Sequence, residues 1–139
     1  MTKPTKKILI VDDDAGIRGA VRLLLEEEQY VHFDITESAS VASAVRQMTD
    51  NLPDIVILDL HMPNKNGLDF MDIIHEDSRF AKTEVIMLTV DDTLENIFRA
   101  QEKGIEAYHF LGKPFNITDL QTLVLSLSLP VRKVSSVIV

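Results

Sequence analysis

The chain has 139 residues, 45% hydrophobic and 26% charged, with no cysteine and a formal net charge of −8 from 22 acidic and 14 basic residues. That composition fits one globular domain with a genuine apolar core. It excludes disulfides and thiolate metal sites, and its acidic balance opposes direct binding to a polyanion such as DNA. The basic residues do not cluster except for Lys3, Lys6 and Lys7, in an expected mobile start. No segment approaches the roughly 18 uninterrupted apolar residues of a membrane span. The opening residues also lack the long apolar stretch and small-residue cleavage site of a signal peptide. A soluble, cytoplasmic protein is expected.

The first expected strand, Ile8–Val11, runs directly into Asp12-Asp13-Asp14. A helical stripe follows at Ile17, Val21, Leu24 and Leu25, then a strand at Val31–Ile35 and a second stripe at Val41, Ala44, Val45 and Met48. The third strand, Ile55–Leu58, ends in Asp59, and Phe70, Ile73 and Ile74 form the third stripe. The fourth strand, Val85–Leu88, ends in Thr89. Its helix carries Leu94, Ile97 and Phe98, with Asp92 and Glu95 to cap it and Gly104 to end it. A fifth strand is expected over Ala107–Leu111, followed closely by Lys113-Pro114. Asn116 then starts a helix with Ile117, Leu120, Leu123, Val124 and Leu127 on its stripe, while Leu125 and Leu129 lie off it as a candidate partner or dimer face.

Strands alternating with helices call for right-handed crossovers and a parallel sheet covered on both faces. Strands 1 and 3 lack polar alternation, as burial on both faces requires. The expected fold is α/β: a doubly wound, five-stranded parallel sheet of order 2-1-3-4-5. In such sheets ligands bind beyond the carboxyl ends of the strands where strand order reverses, here between strands 1 and 3. That position gathers Asp12, Asp13 and Asp59, with Thr89 and Lys113 on one flank. Converging carboxylates need a cation among them, and oxygen donors without His or Cys suit Mg²⁺. A carboxylate can take up a phosphoryl group, and Lys and Thr can bind its oxygens.

These residues resemble the receiver domain of two-component response regulators. The resemblance rests on Ile8-Leu9-Ile10-Val11-Asp12-Asp13-Asp14, on Asp54-Ile55-Val56-Ile57-Leu58-Asp59-Leu60-His61-Met62-Pro63 with Gly67, on Leu88-Thr89, and on Lys113-Pro114-Phe115. It covers residues 5–128 and implies the flavodoxin-like (βα)5 arrangement, leaving 129–139 as a tail, either a linker or a segment packing back on the domain. It implies Asp59 as phosphoacceptor, and Asp12, Asp13, Asp59 and the backbone carbonyl of His61 as Mg²⁺ ligands. Thr89 and Lys113 would bind phosphoryl oxygens, and the Lys113–Pro114 peptide would be cis. The implied donor is a sensor histidine kinase or a histidine phosphotransfer protein, acting on a chain that is not itself an enzyme toward other molecules. Phosphorylation would draw Thr89 inward and remodel the face made by the fourth helix, fifth strand and fifth helix. That face is also the candidate homodimer surface, and the downstream output is unassigned.

Val90 stands where the family usually has a small residue, and the segment from Gly104 to Lys113 is about two residues longer than the common spacing. Counting back from Lys113 gives Phe110 as the switch aromatic, and counting on from Gly104 gives Tyr108; Phe110 is the preferred reading. His61 and Asp91 occupy the two positions that tune dephosphorylation in the family.

One helix cap does not need three aspartates, so Asp14 is read as the cap of the first helix and Asp12 and Asp13 as ligands. His32, His75 and His109 have no zinc or triad spacing and are expected at the surface or half-buried. A phosphohydrolase of the haloacid-dehalogenase type would use Asp12-Asp13-Asp14 differently, as Asp-x-Asp on strand 1, and would need a cap insertion. A degenerate receiver acting only as a binding module is opposed by the intact acidic set.

Overall fold

The computed structural model describes residues 3–59, 67–89, 98–99, 101–102, 109–113 and 115–129. Five strands pair in parallel in the order β2-β1-β3-β4-β5, as expected. They are β1 (Thr5–Val11), β2 (His32–Ser38), β3 (Ile55–Asp59), β4 (Glu84–Thr89) and β5 (Phe110–Gly112). The helices are α1 (Ala15–Glu26), α2 (Val41–Asp50), α3 (Gly67–Glu76) and α4 (Ile117–Ser128), with a 3₁₀ turn at Ser78–Phe80.

Alternation along the strands builds two cores. Leu9, Val11, Val56, Leu58, Val85 and Met87 face α2 and α3, meeting Val41, Ala44, Met48, Leu68, Phe70, Met71 and Ile74. Ile8, Ile10, Ile55, Ile57, Ile86 and Leu88 face α1 and α4, meeting Val21, Leu25, Leu120 and Val124. Successive side chains point to opposite faces, so a strand apolar at every position must be covered on both. Each fully buried side chain of this size contributes about 1.5–3 kcal/mol of hydrophobic stabilisation before entropy is counted.

The helix starts follow their cap chemistry. Asp14 Oδ1 accepts from the N–H groups of Gly16 and Ile17, Ser40 Oγ from Ser43, and Asn116 Oδ1 from Thr118. Asp14 is therefore the cap that the sequence suggested.

Several expectations need correction, among them the fifth strand, expected over Ala107–Leu111 and found at Phe110–Gly112 with His109 outside it. Lys6 and Lys7 are not in a mobile start: β1 begins at Thr5, in register with His32 of β2. Lys7 is fixed further by its N–H on Asp54 Oδ2 and its Nζ on Asn51 Oδ1, both at 2.8 Å. His109 is neither exposed nor half-buried; it is buried where β5 enters the sheet, with Nδ1 4.0 Å from Glu84 Oε2. Leu125 is half-buried and packs against the core beneath α1 and α4, so only Leu129 of the off-stripe pair is exposed. Ile117, assigned to the apolar stripe, is 49% exposed because it opens the helix beyond the edge of that core.

The expected fourth helix is seen at Phe98, Arg99, Gln101 and Glu102, and Phe98, assigned to its apolar stripe, is instead exposed. His61, Val90, Asp91, Asp92, Glu95, Gly104, Ala107, Tyr108, Pro114 and the tail from Pro130 lie outside the described residues. Among those described, no helix is long and apolar enough to cross a membrane.

Candidate functional site

Val11 of β1 is in register with Leu58 of β3, so the next residues, Asp12 just past β1 and Asp59 at the end of β3, come side by side. Asp59 is in turn in register with Leu88 of β4, one residue before Thr89. Thr89 is in register with Gly112, and Lys113 follows. The sheet therefore delivers all of the described candidate residues to the carboxyl edge at the switch point.

One carboxylate oxygen from each of Asp12, Asp13 and Asp59 lies within 4.8 Å of the others. Asp12 and Asp59 are buried, and Asp13 is exposed at the mouth. Lys113 Nζ reaches into the same group, 3.0 Å from Asp12 Oδ2 and 3.3 Å from Asp59 Oδ1. Burial alone would lower the pKa of this ammonium. The hydrogen bond and charge of Asp12, joined by those of Asp59, outweigh it and hold Lys113 above the ordinary lysine value.

Three carboxylates against one ammonium leave the pocket with a formal charge of −2. A single divalent cation would bring that to neutrality. The donor set is oxygen only, which suits Mg²⁺, a cation that favours a few carboxylates together with waters and phosphate. The residues present thus fit a divalent metal site, the arrangement expected from the sequence for Asp12, Asp13 and Asp59. Phe110 lies in β5, half-buried against the core beneath α2 and α3.

A second group of residues meets the site from behind, and the sequence reading did not single it out. Arg18 Nη1 donates to the Asp12 carbonyl at 2.6 Å and Arg18 Nε to Glu37 Oε1 at 3.1 Å. Arg22 Nε holds the other Glu37 oxygen at 2.7 Å, and Gln47 Nε2 donates to the Glu37 carbonyl at 2.9 Å. The Glu37 carboxyl is held below the ordinary value, first by the hydrogen bond from Arg22 and then by Arg18, against an opposing effect of burial. The available signal was the i, i+4 spacing of Arg18 and Arg22, which puts both guanidinium groups on one face of α1 beside the end of β2.

A family model described as "Response regulator receiver domain" matches residues 8–125, and the chain belongs to that family. Its relatives include response regulator Rre1 of Synechocystis sp., 32% identical over 120 residues covering 86% of this chain and 50% of the relative. The phosphate regulon transcriptional regulatory protein PhoB of Escherichia coli is 32% identical over 115 residues, covering 83% of this chain and 48% of PhoB. The chain thus spans about half the length of these curated relatives. Among solved structures, the Francisella response regulator 1452 receiver domain matches with a TM-score of 0.77 at 28% identity, covering 88% of this chain and 96% of that one. The Vibrio cholerae chemotaxis protein CheY4 matches with a TM-score of 0.79 at 26% identity, covering 88% of this chain and 98% of that one.

Proposed function

We propose that this receiver domain, spanning residues 5–128, accepts a phosphoryl group on Asp59 from a histidine kinase or histidine phosphotransfer protein. The observation that carries the reading is the pocket charge: three converging carboxylates, two of them buried, balanced among the described residues by Lys113 alone. Asp12, Asp13 and Asp59 would hold Mg²⁺, together with the backbone carbonyl of His61. Bound there, the cation would neutralise the pocket and screen the incoming phosphoryl oxygens.

The chain's own groups do the rest. An Asp59 carboxylate oxygen attacks phosphorus in line, forming the aspartyl O–P bond while the P–N bond of the phosphohistidine donor breaks and imidazole leaves. Lys113 stays protonated and turns from the carboxylates toward a phosphoryl oxygen, and the Thr89 hydroxyl donates to another. The domain catalyses its own modification and has no other substrate. Relocation of Thr89 then lets Phe110 follow, changing the face formed by the fourth expected helix, β5 and α4. That face would engage an output partner or a second copy of the chain. Rre1 and PhoB carry regulatory names, which supports a signalling role.

The reading is tested by incubating the protein with acetyl phosphate and Mg²⁺ and weighing it intact. One phosphoryl group should be added, be lost in base, and be absent in Asp59→Asn and after chelation. Phosphate-ester turnover with label on Asp12 would instead indicate the haloacid-dehalogenase chemistry. A protein that never labels, from acetyl phosphate or from a kinase, would be a binding module. Light scattering before and after labelling tests the dimer, and an unchanged monomer would rule it out.

A further inference from the structure

Asp12 is buried, and while Lys113 holds its carboxylate in the pocket, its backbone is held from α1 and β2. Its N–H donates to the Ser38 carbonyl at 3.1 Å, and its carbonyl accepts from Arg18 Nη1 at 2.6 Å. The Arg18 N–H in turn donates to the Asp14 carbonyl at 3.1 Å, which begins the hydrogen-bond ladder of α1. Backbone and guanidinium together close a ring around the Asp12–Asp14 turn. The guanidinium is itself aimed by Glu37, whose second oxygen is held by Arg22. The Arg18 side chain is only 17% exposed, so it is not a loosely solvated surface charge.

We infer that Arg18 is a positioning residue for the acidic pair: tethered by Glu37, it fixes the Asp12 carbonyl and so orients the Asp12 and Asp13 carboxylates toward a divalent cation. The inference rests on the metal site proposed above. A planar guanidinium serves Glu37 and the Asp12 carbonyl through two separate nitrogens in a fixed fork, whereas a lysine would have to bring both acceptors to a single nitrogen at the end of a flexible stem, which loses that fixed geometry. Groups that orient a metal ligand without touching the metal typically alter metal affinity by about 10–100-fold.

Charge and geometry make opposite predictions here. Removing a nearby cation should strengthen binding of another cation and do so less at high salt. Removing a positioning contact should weaken it at any salt. Calorimetric titration of Mg²⁺ into the full chain separates the two. Arg18→Lys, which keeps the charge, should weaken Mg²⁺ binding about tenfold, and Arg18→Met should weaken it at least as much. In the metal-free protein, hydrogen exchange at the Asp13 and Asp14 amides should quicken in Arg18→Lys while β3 keeps its protection.

Wild-type affinity in Arg18→Lys would overturn the inference, as would tighter, salt-sensitive binding in Arg18→Met. Loss of β3 protection in Arg18→Lys would show a general structural role and overturn it too. A wild-type chain that binds no Mg²⁺ would defeat the metal-site reading and this inference together. Binding in the wild type that is lost in Asp13→Ala but unchanged in Arg18→Lys would defeat the inference alone.

Discussion

All four polar atoms of Asp12 are engaged: the N–H by Ser38, the carbonyl by Arg18, Oδ1 by the Asp14 N–H and Oδ2 by Lys113. Its neighbour two residues on does a separate job. Asp14→Ala should cost about 1 kcal/mol through loss of the α1 cap, whereas Asp14→Ser should keep both the stability and the Mg²⁺ affinity. Urea midpoints and Mg²⁺ titration check the pair, and loss of metal binding in Asp14→Ser would make Asp14 a ligand. Glu37 gives a pH-dependent prediction. Its folded pKa is depressed below 4.5, chiefly by the Arg22 hydrogen bond, so its contribution is complete above that value. It is lost as pH falls through the folded pKa. Glu37→Gln should therefore be less stable than wild type at neutral pH, by about 1 kcal/mol or less, and the gap should close in acid. Urea midpoints measured down the pH scale check this; a gap that stays constant would contradict it. The acidic residues were legible because Asp12-Asp13-Asp14 and Asp59 each end an uninterrupted apolar run. Arg18 and Glu37 were not, because their partnership joins positions 18 and 37 through a strand pairing that no local pattern displays.

At the scale of elements, helix and strand chemistry largely agree with period and capping. β1 is apolar at every buried position and β3 at all but its last, Asp59, while α1 and α2 turn their stripes to the core, with Val21, Leu25, Val41, Ala44 and Met48 buried and Ile17, Leu24 and Val45 half-buried. The misreadings share a cause. β1 starts three residues before its apolar run, and β2 continues to Ser38 past its own, because parallel partners extend a strand through polar residues. His109 is buried by its place beside β4, which sequence spacing does not encode. Phe70 has no exposed surface and anchors α3 in the core beneath the sheet. Phe70→Ala should destabilise the domain by about 3–5 kcal/mol, read from urea unfolding. A loss under 1 kcal/mol would mean that α3 does not depend on this contact.

For the molecule as a whole, the two cores make the sheet a rigid base, and the acidic pocket sits at its carboxyl edge where strand order reverses. Concentrating negative charge there costs stability until a cation arrives, and the chain already carries a net charge of −8. Mg²⁺ should therefore raise the thermal midpoint, by the equivalent of about 2.7 kcal/mol at a hundredfold excess over Kd. Chelation should reverse the gain and Asp13→Ala should abolish it. An equal gain in Asp13→Ala would place the ion elsewhere. The decisive question is which carboxylate carries the phosphoryl group, and an acyl phosphate can be trapped in place. Borohydride reduction after acetyl phosphate treatment converts the modified aspartate to homoserine, which peptide mass spectrometry then locates. Homoserine at position 59 is the predicted result; homoserine at position 12 or 13, or at no position, would contradict it.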